Sequence, residues 1–186
     1  MKSPLPEAKL DEWLRANGWY PGRENVDEAR RLIAIRVRNS HGQGFPLQPW
    51  EEVFRFVSAF VGLEFPVPLA PERKFRADPT FGYDGDAELI VALAGNVGQR
   101  LFPVGWETSE NGIVLLDETG RFFYLHHTGA YFLGKNESQA LSSLMTGDQE
   151  DAEDYFARPD SGSGGLHARP GQDRQSHRSG RERPGP

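Results

Sequence analysis

The chain has 186 residues, with 21 Lys+Arg against 27 Asp+Glu and a formal net charge of −6. Its lack of cysteine excludes a disulfide framework, a zinc-thiolate finger, a redox dithiol and a cysteine nucleophile. The opening MKSPLPEAKLDEW is amphipathic and acidic where an export signal would be apolar, and no later run approaches the roughly 18 apolar residues of a membrane span. These features predict a cytoplasmic protein.

In chain order, Leu10, Trp13 and Leu14 form a helical stripe over residues 6–17, stopped by Gly18. Trp19-Tyr20-Pro21-Gly22-Arg23 reads as a rigid aromatic turn. Asn25 is placed to cap a second helix, with Asp27 and Glu28 in its first turn and Ala29, Ile33 and Val37 along one side; residues 40–47 read as a loop. Pro49 opens a third helix, in which Trp50, Val53, Phe54, Val57, Phe60 and Val61 recur at helical spacing until Gly62. The proline-rich stretch 64–83 predicts short extended pieces near 67–69 and 74–77.

Asp86 reads as the cap of a fourth helix, running through Leu89, Ile90 and Leu93 to Gly95. The period then changes to two, and residues 101–106, 113–117, 121–126 and 130–133 are predicted strands. Asn111-Gly112, Glu118-Thr119-Gly120 and Thr128-Gly129 separate them, the residue types that hairpins use where φ turns positive. Asn136 caps another helix, with Ala140, Leu141, Leu144 and Met145 facing inward and Gly147 ending it, and a short helical piece follows over 150–156. Helices, then a meander, then helices predict an α+β fold, a single domain with helices packed against a mainly antiparallel twisted sheet.

From residue 158 the composition changes. The last 29 residues hold six Arg, three acids, six Gly and four Pro, with only Leu166 and Ala168 apolar, which predicts a disordered tail over 158–186. Its charge is +3, so residues 1–157, the predicted folded domain, carry 15 basic and 24 acidic residues, a net −9. The tail arginines could meet nucleic acid or an acidic surface; the plainer reading is a solvated appendage.

Motifs for chemistry are sparse. No phosphate loop and no G-x-S-x-G elbow is present, and glycines 162–165 fall in the tail. No cofactor is expected. Of the histidines, His167 and His177 also fall in the tail, and His41, His126 and His127 have no metal-ligand spacing; His126 and His127, adjacent on a strand, should point to opposite faces. Asp84, Asp86 and Glu88 could hold Mg²⁺, although acids at a helix start also account for them. Arg30, Arg31, Arg36 and Arg38 could meet phosphates, but in a domain of −9 they read as solvated charge, and direct nucleic-acid binding is not expected.

The acids are more informative. Glu107, Glu110, Asp117 and Glu118 lie on neighbouring hairpin segments, and Asp148, Glu150, Asp151, Glu153 and Asp154 cluster after the last main helix. Together they supply a negative field that would steer a basic partner, with Trp106 or Tyr131 as a candidate anchor.

Ala16-Asn17-Gly18-Trp19-Tyr20-Pro21-Gly22-Arg23 resembles the opening motif of the third subgroup of the SUKH superfamily (SMI/KNR-like). Phe56-Val57-Ser58-Ala59-Phe60-Val61-Gly62-Leu63 is similar to that family's helix ending in a glycine-leucine step. Pro103-Val104-Gly105, the run Ile113-Val114-Leu115-Leu116-Asp117-Glu118-Thr119-Gly120-Arg121, and Leu133-Gly134 leading to Ala140-Leu141 follow in the family's order. Val61 stands where a second glycine is usual, and residues 75–85 have no clear match. The resemblance implies an α+β bacterial immunity protein, non-enzymatic, that neutralises a polymorphic or contact-dependent toxin, in particular a nuclease. It also marks Gly18, Gly105, Gly120 and Gly134 as turn residues, Trp19 as a packing residue, and Arg23 as a tie to a carbonyl or carboxylate. The alternatives are a regulatory scaffold binding a housekeeping protein and, more weakly, a Mg²⁺-dependent enzyme using Asp84, Asp86 and Glu88.

Overall fold

A computed structural model describes residues 6–157; the predicted tail 158–186 lies outside the described residues. Helix α1 (Glu7–Ala16) buries Leu10, Trp13 and Leu14, and the Trp13 indole N–H donates to the Pro66 carbonyl at 2.9 Å. Gly18 follows in the left-handed region with φ of 91°. Helix α2 (Val26–Gly42) has Asn25 at its cap position, but the expected side-chain cap bond is missing. The Asn25 backbone N–H donates instead to the Ser58 carbonyl at 2.9 Å, which ties α2 to the next helix. Nor does α2 yield to a loop at residue 40. The Ser40 hydroxyl donates to the Val37 carbonyl and accepts from the Leu47 N–H, so the last turn is held until Gly44 takes a positive φ.

Helix α3 (Glu51–Phe60) buries Val53, Phe56, Val57 and Phe60, the i, i+3, i+4, i+7 stripe of a core-facing helix. Arg23 completes the pairing of the carbonyls at the C-terminal end of this helix. The guanidinium donates to Ala59 O at 2.8 Å and to Val61 O at 2.7 Å, while Trp19 stacks on Phe60 with ring centroids 6.1 Å apart. The aromatic turn at 19–23 is therefore the C-terminal cap of a helix some 35 residues later.

Strands β1 (Glu64–Val67) and β2 (Ala70–Arg76) form a hairpin, so residues 68 and 69 are its turn and not part of a strand as the sequence suggested. Prolines are tolerated here because β1 is an edge strand. Helix α4 (Asp86–Val97) runs past Gly95 and stops at Gly98, the residue that adopts the left-handed conformation; Gly85, not Asp86, is its cap. Strands β3 (Leu101–Glu107), β4 (Gly112–Asp117), β5 (Phe122–His126) and β6 (Gly129–Gly134) then form the meander. Helix α5 (Glu137–Thr146) is capped by the Asn136 side chain, which accepts from the Gln139 N–H, and ends at Gly147. The final segment departs from the predicted helix. Glu150–Asp151 pairs with β6 as a two-residue strand β7, and only Ala152–Tyr155 is helical, as a 3₁₀ turn. Tyr155 stacks on Phe132 and Ala157 donates to Asn96, which pulls this stretch onto the sheet.

The seven strands make one antiparallel sheet in sequence order, an α+β single domain. One face carries Phe65, Phe75 and Phe122 beneath Phe56 and Phe60 of α3. The other carries Phe123 and Phe132 against Tyr155. Every residue of β3, β4 and β5 is consequently buried. Gly105 and Gly134, expected at turns, lie in strands. A Cβ on Gly105, beside the irregular step in β3, would sit 2.3 Å from the Phe75 ring and 2.7 Å from the Arg76 carbonyl. One on Gly134 would meet Gln139 at 2.6 Å. Both glycines serve close approach of neighbouring segments.

Gly105→Ala is expected to lower stability by roughly 1–3 kcal/mol through overpacking. Gly95→Ala, in open space on the exposed side of α4, should instead raise it by about 0.5–1 kcal/mol. Urea unfolding of the two variants measures both signs.

Candidate functional site

Three of the acids singled out from sequence face the interior. Glu107, 3% exposed, accepts from the Ser109 hydroxyl at 2.8 Å, from the Ser109 and Glu110 backbone N–H groups, and from the Tyr124 hydroxyl at 3.2 Å. It thereby ties down the β3–β4 turn. Burial, followed by the Glu107 charge, pushes the Tyr124 phenol well above the ordinary tyrosine range. Asp117, fully buried, accepts from the Thr119 N–H and hydroxyl and from the Arg121 N–H and Nε, and so organises the β4–β5 turn. Neither carboxylate is a surface charge, because the covered sheet turns strand residues inward on both faces.

Asp86 is the third. It is fully buried, 3.0 Å from the guanidinium of Arg36, which is itself 2% exposed. Gln43 donates to its Oδ1 at 3.1 Å and the Tyr83 N–H to its Oδ2 at 3.3 Å, while Gln43 Oε1 accepts from the Ala87 N–H. The suggested Mg²⁺ set fails on this geometry. Asp84 and Glu88 are exposed while Asp86 is turned inward onto an arginine, and no group of three or more metal-ligating side chains converges among the described residues. Arg36 likewise leaves the expected basic face, of which Arg30, Arg31 and Arg38 remain exposed.

The remaining candidates divide between the two ends of the sheet. At one end the β3–β4 and β5–β6 turns flank an open cleft of about 860 Å³ whose walls include Tyr83, Trp106, Glu110, His126 and Gln149. Trp106, 7% exposed, stacks on Phe81, over which the Arg76 guanidinium lies at 5.0 Å. Glu110 stands on the rim, 46% exposed, with Arg73 at 3.8 Å. Tyr131 lies behind the cleft, its hydroxyl 2.8 Å from Thr128 Oγ1, which is in turn 2.8 Å from His126 Nδ1. Asp148, next to Gln149, lines a much smaller void with Glu107 and Arg73.

Asp117 and Glu118 lie at the other end of β4, about 17 Å away along the strand. Glu118 pairs there with Arg100 at 2.6 Å, and this bond holds its carboxyl below the usual range. Glu150 and Asp151 occupy the outer strand beside β6. The Tyr155 hydroxyl bond holds the Glu150 carboxyl low, and burial, more than this carboxylate, pushes Tyr155 up to about 12.

The histidine expectation also changes. β5 ends at His126, so His127 already belongs to the turn and strand alternation no longer applies to it; the two rings lie 3.8 Å apart. His126 is 9% exposed, and its Nε2 is buried with no hydrogen-bond partner. Sequence reasoning missed this histidine and Tyr83. The available signal was the H-H-T-G run at a hairpin end, which places a ring beside a turn hydroxyl.

An antiparallel α+β meander whose buried acids are all engaged by internal donors defines the structural class. Against it, the family model described as SUKH-3 immunity protein matches residues 6–147, and the chain belongs to that family. No curated protein and no solved structure matches it. Membership supports a toxin-immunity role and with it the binding of a cognate toxin. Among the described residues, no helix is long and apolar enough to cross a membrane.

Removing either member of the buried pair, as in Arg36→Met or Asp86→Asn, is expected to cost about 3–5 kcal/mol in urea unfolding. The double variant should lose less than the sum of the two, and Mg²⁺ titrated into the native protein should give no binding heat. The depressed Glu150 carboxyl contributes stability that is complete above the ordinary glutamate value of 4.5 and fades as pH falls through its lower folded value. Glu150→Gln should therefore flatten that part of an acid-unfolding profile.

Proposed function

We propose that this chain is a non-enzymatic, cytoplasmic immunity protein that occludes a basic toxin domain, a nuclease. One observation carries the reading beyond family membership: residues 1–157 hold a net −9, and most of the acids outside the three internal carboxylates are exposed or half-buried. Glu88, Glu110, Asp151, Glu153 and Asp154 are all solvent-facing. An enzyme that cuts nucleic acid must present cations to phosphates, and an inhibitor with the opposite field finds that surface quickly. Steering of this kind raises association rates by roughly 10–10³-fold at low salt. The interior acids support the same view, since each is buried and held by structural donors.

The proposed functional unit ends at Ala157. Co-expression with the toxin encoded beside this gene should restore growth of the host, equally well after deletion of residues 158–186. The purified pair should form a one-to-one complex in which nuclease activity is titrated to zero, with an affinity that falls as salt rises. Failure of protection and of complex formation with every neighbouring toxin would refute the reading.

A further inference from the structure

The cleft between the β3–β4 and β5–β6 turns contains a hydrogen-bonding group that the fold leaves unused. The Thr128 backbone N–H, an obligate donor, lies 3.4 Å from His126 Nδ1 and the Thr128 hydroxyl lies 2.8 Å from it, with the Tyr131 hydroxyl a further 2.8 Å on. The Thr128 N–H contact favours the form in which Nδ1 accepts, from Thr128 and through it from Tyr131. The neutral ring then carries its proton on Nε2, the atom that is buried and unpartnered. An unmet buried donor carries a desolvation penalty that an incoming oxygen would relieve. His127, exposed in the turn, is the ring packed nearest, with centroids 3.8 Å apart.

The other walls define what could bring the oxygen. Tyr83 and Trp106 offer aromatic surface, while Glu110 on the rim, 3.8 Å from Arg73, and the exposed Asp84 next to Tyr83 offer negative charge. A small anion would meet these carboxylates unfavourably. An extended protein segment satisfies both demands, with a backbone carbonyl for the donor and a Lys or Arg side chain for the rim. The size of the opening, about 860 Å³, fits a short segment and not a flat surface.

We infer that this cleft is the docking site for an extended loop of the cognate toxin, which seats a carbonyl oxygen on His126 Nε2–H and a basic side chain against Glu110 and Asp84. The inference rests on the immunity reading above and adds the surface that performs it.

The test uses the full chain and a catalytically inactive form of the toxin domain from the neighbouring gene, titrated by calorimetry. His126→Phe, which keeps a ring and removes the donor, should weaken binding about tenfold. Glu110→Lys, an exposed change that leaves the fold intact, should weaken it at least as much and slow association. Arg15→Ala, on the outside of α1, should change nothing. Imidazole ¹⁵N spectra of the free protein should show His126 protonated on Nε2, with that proton protected from exchange in the complex. Wild-type binding that survives unchanged in both cleft variants, or a proton on Nδ1, overturns the cleft assignment and leaves the immunity reading intact. No binding by the wild type removes the occupant and overturns both.

Discussion

The contact between Arg36 and Asp86 is the joint on which the arrangement at the cleft depends. Two opposite charges stand 3.0 Å apart with neither side chain exposed. Burying them cost hydration that their attraction offsets in part; Gln43 and the Tyr83 backbone add hydrogen bonds to the carboxylate, while Arg36 Nε is buried without a hydrogen-bond partner. An apolar pair of similar volume would hold α2 to α4 comparably well. It would not fix the segment between Gly82 and Gly85, because only an acceptor at Asp86 can hold the Tyr83 N–H. The space is tight enough that a Cβ on Gly82 would lie 1.9 Å from the Asp86 carboxylate. Tyr83 therefore reaches the cleft from a backbone anchored in the core.

The same logic governs Glu107 and Asp117. A sheet covered on both faces has no solvent side on which to place strand-end acids, so each must find donors within the protein. Each finds them in the tight turn that follows it, through a Ser109 or Thr119 hydroxyl and adjacent backbone N–H groups. The turns become rigid for this reason, which matters more at the cleft than at the opposite end. There, Glu107 stiffens the hairpin that carries Glu110 and Asn111, while the Thr128–Tyr131 pair fixes the neighbouring turn.

Local chemistry determined how far the sequence could be read. The four meander strands were legible because short apolar runs between positive-φ turns are encoded within a few residues, as at Asn111 with φ of 60° and Gly120 with φ of 86°, although burial along β3, β4 and β5 is continuous and not alternating. The Asn136 cap is equally local. Tertiary contacts overrode the sequence where it failed. Asn25 has a capping side chain but a better offer for its backbone from Ser58. Residues 150 and 151 have the composition of an acidic helix but pair with β6 once Tyr155 stacks on Phe132. Asp86, Glu107 and Asp117 look like surface charge until it is known that helices cover both sides of the sheet. Arg23 was readable only as a side chain needing an acceptor; that its acceptors are the last carbonyls of α3 is a fact about packing.

Long-range capping of this kind separates what must stay fixed from what can vary. Trp19 and Arg23 close α3, and the glycines at 105 and 134 permit close approach in the sheet; a change at any of them acts on the whole domain. The cleft residues Tyr83 and Glu110 sit on connecting segments whose backbones are held from behind by Asp86 and Glu107. Side chains on such supports can be exchanged at little cost to the fold. A protein that must match one particular toxin benefits from this division. The buried carboxylates supply rigidity, and the exposed positions that they hold in place are free to change.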